Sequence, residues 1–118
     1  MPRRFYEADV VKQIARRGAF VGFDRVTYVQ FVSDAKKVQT VVAFLDAGFA
    51  DRLLLSSDFP GWRGVKPWVP TLQEGTGWER TVTVFVPMLR KAGVSDVTLQ
   101  TILVNNPRRF LAFVPKNK

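Results

Sequence analysis

The chain contains no cysteine and no histidine. The first absence excludes disulfides and thiolate metal sites. The second excludes a Ser-His-Asp triad and a zinc ion held by imidazoles. Carboxylates remain as candidate ligands for a hard cation. Long apolar runs are missing too: none reaches the roughly 18 residues of a membrane span. Arg3-Arg4 is followed by no apolar stretch of the kind that marks a secretory signal, so a cytoplasmic protein is the expectation. At 118 residues the chain is one domain at most. A complete eight-fold β/α barrel needs about 250.

What the chain does have is positive charge. Eighteen Lys and Arg stand against ten Asp and Glu, a net charge of +8. The hydrophobic fraction of 47% is that of a folded protein. A basic balance points toward nucleic acid or an anionic membrane. The cations, however, come as scattered pairs: Arg3-Arg4, Arg16-Arg17, Lys36-Lys37, Arg90-Lys91 and Arg108-Arg109. Four of these fall near helix ends, where a solvated surface with some dipole complement accounts for them. A small nucleic-acid-binding module that stacks bases on tryptophan is the alternative.

The periodicity shows a repeat. Val10, Val11, Ile14 and Ala15 have helical spacing, and Gly18 follows as a stop. Ala19 to Phe23 then forms a short apolar run ending at Asp24-Arg25, which suits a strand buried on both faces. Ser33 or Asp34 caps a second helix with Val38, Val41, Val42 and Leu45 on one face, and Gly48 stops it. Leu53-Leu54-Leu55 follows, ending at Asp58, so that Asp24 and Asp58 lie 34 residues apart. That is the length of one strand-helix unit.

From Phe59 to Gly77 the chain is rich in Gly and Pro, a 19-residue stretch with Trp62 and Trp68 inside it and Trp78 just after. A loop this long is more often functional than not, the alternative being a packed surface excursion with tryptophan as its own small core. Beyond it, Thr81 to Val86 alternates weakly and could be a strand, but Glu79 to Ala92, ending in Arg90-Lys91-Ala92-Gly93, reads as a helix with Pro87 as a kink or a first-turn residue. Ser95 caps a last helix that Asn105-Asn106-Pro107 should stop, with one further apolar turn over Arg108 to Phe113. Two short parallel strands with four helices do not close a fold, and their edges need partners. In barrels and open α/β sheets, ligands sit at the C-terminal ends of strands. Asp24, Arg25 and Asp58 all fall there. A carboxylate in that place suits a cation or a general base, or else it caps a helix or pairs with a nearby cation.

Three motifs, in this order and spacing, resemble the phosphotriesterase family of the amidohydrolase superfamily: Gly18-Ala19-Phe20-Val21-Gly22-Phe23-Asp24-Arg25, the stretch from Leu45-Asp46-Ala47-Gly48 through Leu53-Leu54-Leu55-Ser56-Ser57-Asp58, and Asn106-Pro107-Arg108-Arg109-Phe110-Leu111. The resemblance runs from about residue 9 to 118. It implies an α/β fold, the last quarter of a TIM (β/α)8 barrel, with two parallel strands at about 19–24 and 53–58 and flanking helices. Residues 1–118 would be a single partial domain, with 59–77 as the substrate loop.

The resemblance further implies a metal-dependent hydrolase of phosphotriesters, lactones or esters. Its centre holds zinc or another divalent pair, bound by histidines and a carboxylated lysine from earlier strands and by an aspartate at the end of the eighth. That aspartate maps onto Asp58, a metal ligand that also takes the proton from the attacking hydroxide. Asp24 relays that proton, Arg25 lines the pocket, and Trp62 and Trp68 form its wall. Ser57 stands where relatives often carry His or Asn, and Met1 to Tyr6 does not match the sixth strand. A C-terminal fragment, inactive alone and binding no metal itself, is therefore expected, or a structural piece that complements another barrel portion. The implied partner is a small-molecule substrate, neither nucleic acid nor membrane, and family members are often homodimers.

Overall fold

The computed structural model describes residues 8–24, 26, 32–58 and 78–113. Helix α1 spans Ala8–Arg16 and ends at Gly18, whose φ of 90° explains the glycine. Strand β1, Val21–Phe23, follows. Helix α2, Asp34–Asp46, starts at Ser33, whose hydroxyl accepts the Lys36 N–H at 3.2 Å. A 3-10 turn at Ala50–Arg52 leads into β2, Leu53–Leu55. The strands pair in parallel with Val21 opposite Leu53 and Phe23 opposite Leu55. Each is three residues long, shorter than the 19–24 and 53–58 expected.

The second half is helical. A π turn at Thr81–Phe85 runs into α3, Val86–Lys91, so the helix reading of this ambiguous stretch holds. Helix α4, Asp96–Gln100, is capped by Ser95 through the Thr98 N–H at 3.2 Å. A second π turn, Thr101–Asn105, runs into α5, Asn106–Phe110.

Three expectations need correction. The last helix does not stop at Asn105-Asn106-Pro107. Helical backbone continues through Asn106–Phe110 because a wide turn precedes the proline, with the Asn106 N–H reaching back to Thr101 O. Pro87 is accommodated the same way, by Val86 N–H to Thr81 O. The wider ring relieves the clash and the lost donor that a proline imposes on an ordinary α-turn. Second, α1 buries Ala15 and partly Val11, while Val10 and Ile14 are exposed. Third, among the described residues the two faces of the sheet are covered unequally. Val21 and Leu53 are buried, whereas Gly22 is exposed and Leu54 half-buried.

The core gathers Phe44 and Val41 of α2, the buried strand residues, Phe85, Val86 and Leu89 of the α3 run, and Leu99 and Ile102 of the α4 run. Phe44 meets Phe23 edge-on at 5.9 Å and Phe49 at 5.5 Å.

Asn106 ties the N-terminal end of the sheet. It is fully buried, and its amide donates to Ala50 O at 2.7 Å and to Leu53 O at 2.8 Å. Its oxygen accepts from Arg109 at 2.9 Å, and Arg109 also donates to Asp51 O. Arg52 donates to Gly18 O at 3.0 Å, and both guanidiniums lie over the Phe20 ring. Truncating Asn106 leaves two carbonyls unpaired. Asn106→Ala is expected to lower stability by about 2–4 kcal/mol. Asn106→Asp, which cannot donate, should cost at least as much at neutral pH. Urea melts monitored by circular dichroism measure both.

Candidate functional site

The two strands deliver two carboxylates to one end of the sheet. Asp24 directly follows β1, and Asp58 lies three residues beyond β2. Beyond the last paired residues the exits stay side by side. Ser56 N–H donates to Phe23 O at 3.0 Å, and Val26 N–H to Ser56 O at 3.4 Å. Both carboxylates are exposed. Arg25, Trp62, Trp68 and the whole stretch 59–77 lie outside the described residues.

Asp58 has a φ of 51°, the left-handed region, and is the only non-glycine residue there among those described. Aspartate tolerates this conformation better than most residues but still carries strain. Its neighbour is held fast. Ser57 is 5% exposed, and its hydroxyl donates to Trp78 O at 2.9 Å. Because that uses the one hydroxyl proton, the Ser57–Thr81 bond at 2.8 Å runs from Thr81 to Ser57. This pair of bonds joins the end of β2 to the start of the α3 run.

The exit of β1 is held by buried cations. Val26 O accepts from Lys37 Nζ at 3.2 Å and from Arg80 Nε at 3.1 Å. Arg80 Nη2 pairs with Asp34 Oδ2 at 2.6 Å, and Lys37 lies 3.8 Å from the other oxygen, Oδ1. Lys37 and Arg80 are 4% and 6% exposed. Burial pushes the Lys37 amine below its ordinary 10.5; Asp34 opposes this and Arg80 adds to it. Lys37 thus departs from the solvated-pair reading of Lys36-Lys37. It lies one turn before Val41 on the buried face of α2.

Sequence reasoning missed Lys37, Arg80 and Thr81. The signal available for Lys37 was its place one turn before Val41. Nothing local marks Arg80 or Thr81. Among the described residues no three acidic side chains gather as a metal-holding group. Asp58 stands at the strand exit as an exposed carboxylate without such a cluster of described residues around it.

The phosphotriesterase family model matches residues 3–111. The chain belongs to the phosphotriesterase family. It is 30% identical over 111 residues to an aryldialkylphosphatase of Saccharolobus solfataricus, covering 88% of this chain and 34% of that one. It is 31% identical over 116 residues to a phospho-furanose lactonase of Mycoplasmopsis synoviae, covering 98% and 32%. The phosphotriesterase structure from Mycobacterium tuberculosis superposes with a TM-score of 0.75 at 28% identity, covering 84% of this chain and 31% of that one. The chain thus spans about a third of the length of the curated relatives it matches. Its two parallel strands and helices are part of the family's TIM barrel. The carboxylates lie at the end of the strands where barrels hold their sites.

Two measurements probe this site. Asp58→Gly removes the left-handed strain and Asp58→Ala does not, so the glycine variant should be the more stable by about 1 kcal/mol in urea. For Lys37, the folded state binds fewer protons than the unfolded state between its lowered folded pKa and 10.5. Stability relative to Lys37→Met should therefore rise with pH across that window and level off above it. Paired urea titrations at stepped alkaline pH read the difference.

Proposed function

We propose that this chain is the C-terminal portion of a phosphotriesterase-type, metal-dependent hydrolase acting on phosphotriesters, lactones or related esters. The observation that carries this is Asp58, an exposed carboxylate held in a left-handed backbone at the exit of a barrel strand, within a family match over residues 3–111. The names of the Saccharolobus and Mycoplasmopsis relatives support both the phosphotriester and the lactone chemistry.

Asp58 would hold one metal of the centre. Zinc or a similar divalent ion supplies water activation near neutral pH when bound. The chain's own residues handle the proton. Asp58 accepts it from the attacking water on a carboxylate oxygen, and Asp24, at the adjoining strand exit, receives it next. Arg25, Trp62 and Trp68 are proposed to line the substrate pocket, in keeping with their places after β1 and in the loop 59–77.

The 118-residue chain is proposed to be inactive alone. The purified chain should bind no stoichiometric zinc and hydrolyse neither lactone nor paraoxon-type phosphotriester. Turnover with bound zinc overturns that part. Co-expressed with the matching first two-thirds of a family member, it should restore hydrolysis, and Asp58→Asn should reduce this by about 10²- to 10⁴-fold. Restored activity indifferent to Asp58→Asn overturns the assignment of Asp58.

A further inference from the structure

We infer that Arg80 is a positioning residue of this site, acting with its neighbour Thr81: one dipeptide holds both strand exits and thereby sets Asp24 and Asp58 relative to one another. The inference rests on the roles just proposed for the two carboxylates.

Arg80 reaches across to the β1 exit, where its Nε meets Val26 O at 3.1 Å and its Nη2 meets Asp34 at 2.6 Å. Val26 is left with little freedom. Its N–H is used by Ser56 O, its carbonyl also takes Lys37, and its side chain is 2% exposed. It lies two residues from Asp24. Thr81 faces the other exit, where its hydroxyl donates to Ser57 at 2.8 Å, and Ser57 adjoins Asp58. Besides the direct bond from Val26 N–H to Ser56 O, the backbone between Arg80 and Thr81 is therefore a second link between the two exits, at the head of a helical run whose Phe85, Val86 and Leu89 are anchored in the core. The chemistry suits arginine. A planar guanidinium serves a carbonyl and a carboxylate together in one fixed orientation, which an ammonium does not. Its burial makes misplacement of either acceptor costly.

The test is amide hydrogen exchange by NMR on the full chain, comparing wild type with Arg80→Met, Arg80→Lys and Arg90→Met. The last removes an exposed ion pair, to Asp96 at 2.9 Å, and is the control. Arg80→Met should reduce protection of the Val26 amide by about tenfold beyond any change at the buried amides of Phe44 and Leu89. It should also weaken the strong intraresidue amide–Hα Overhauser effect that marks Asp58 as left-handed. Arg80→Lys should restore part of both, and Arg90→Met should leave both unchanged. Unchanged protection at Val26, or an equal loss at Val26, Phe44 and Leu89, overturns the positioning role. If Arg80→Met does not fold, Arg80→Lys decides by the same comparison. Neither readout needs metal or substrate, so a chain that restores no hydrolysis overturns the proposed function without touching this result.

Discussion

Parallel pairing of two three-residue strands is the constraint from which the rest of the structure follows. So short a ladder contributes few backbone bonds, and both of its ends fray unless something else holds them. Side chains take over that task. At the N-terminal end, Asn106 inserts its amide between the 3-10 turn and β2. At the C-terminal end, Lys37 and Arg80 grip the carbonyl of Val26, and Ser57 binds Thr81. Among the described residues, five of the six buried polar side chains thus act at the ends of the sheet; the sixth, Thr40, bonds within α2.

The two π turns serve the same end. Each precedes a proline, and each inserts one extra residue into a helical run. At 3.6 residues per turn, one residue rotates everything beyond it by about 100°. Asn106 follows the second π turn directly, so that turn helps decide whether its amide faces β2 or solvent. Accommodating the proline and aiming the asparagine are thus one local event. The first π turn begins at Thr81 and carries Phe85 and Val86 into the core.

Much of this was legible in the sequence. Gly18, Gly48 and Gly93 all take the positive φ that marks a helix stop, and Ser33 and Ser95 cap as their spacing indicates. The apolar runs at 19–23 and 53–55 announced the parallel strands, and three motifs carried the family. Placing Asp24 and Asp58 at strand exits needed only the ends of those runs. Lys37, Arg80 and Thr81 were not legible, because their roles come from partners 11, 54 and 24 residues away. Asn105-Asn106-Pro107 misled for a different reason. The rule that a helix ends before proline assumes an α-turn, and a π turn removes that assumption. Burial on both strand faces was inferred from apolar composition alone, which does not say which neighbour covers each face.

The two ends of the sheet are built from different materials. The N-terminal end uses neutral amide bonds, backbone carbonyls and cations stacked on Phe20. The C-terminal end buries two cations with one carboxylate and holds an aspartate at positive φ. Buried ion pairs seldom improve on apolar packing in net stability, and left-handed aspartate is strained. Both features add fixed orientation rather than stability. They occur together at the end where a barrel places its chemistry and are absent from the described residues of the end where it does not. That asymmetry exists within this chain, apart from any further strands. The exits of β1 and β2, where Asp24 and Asp58 stand, are thus fixed in orientation at some expense to the stability of the fold.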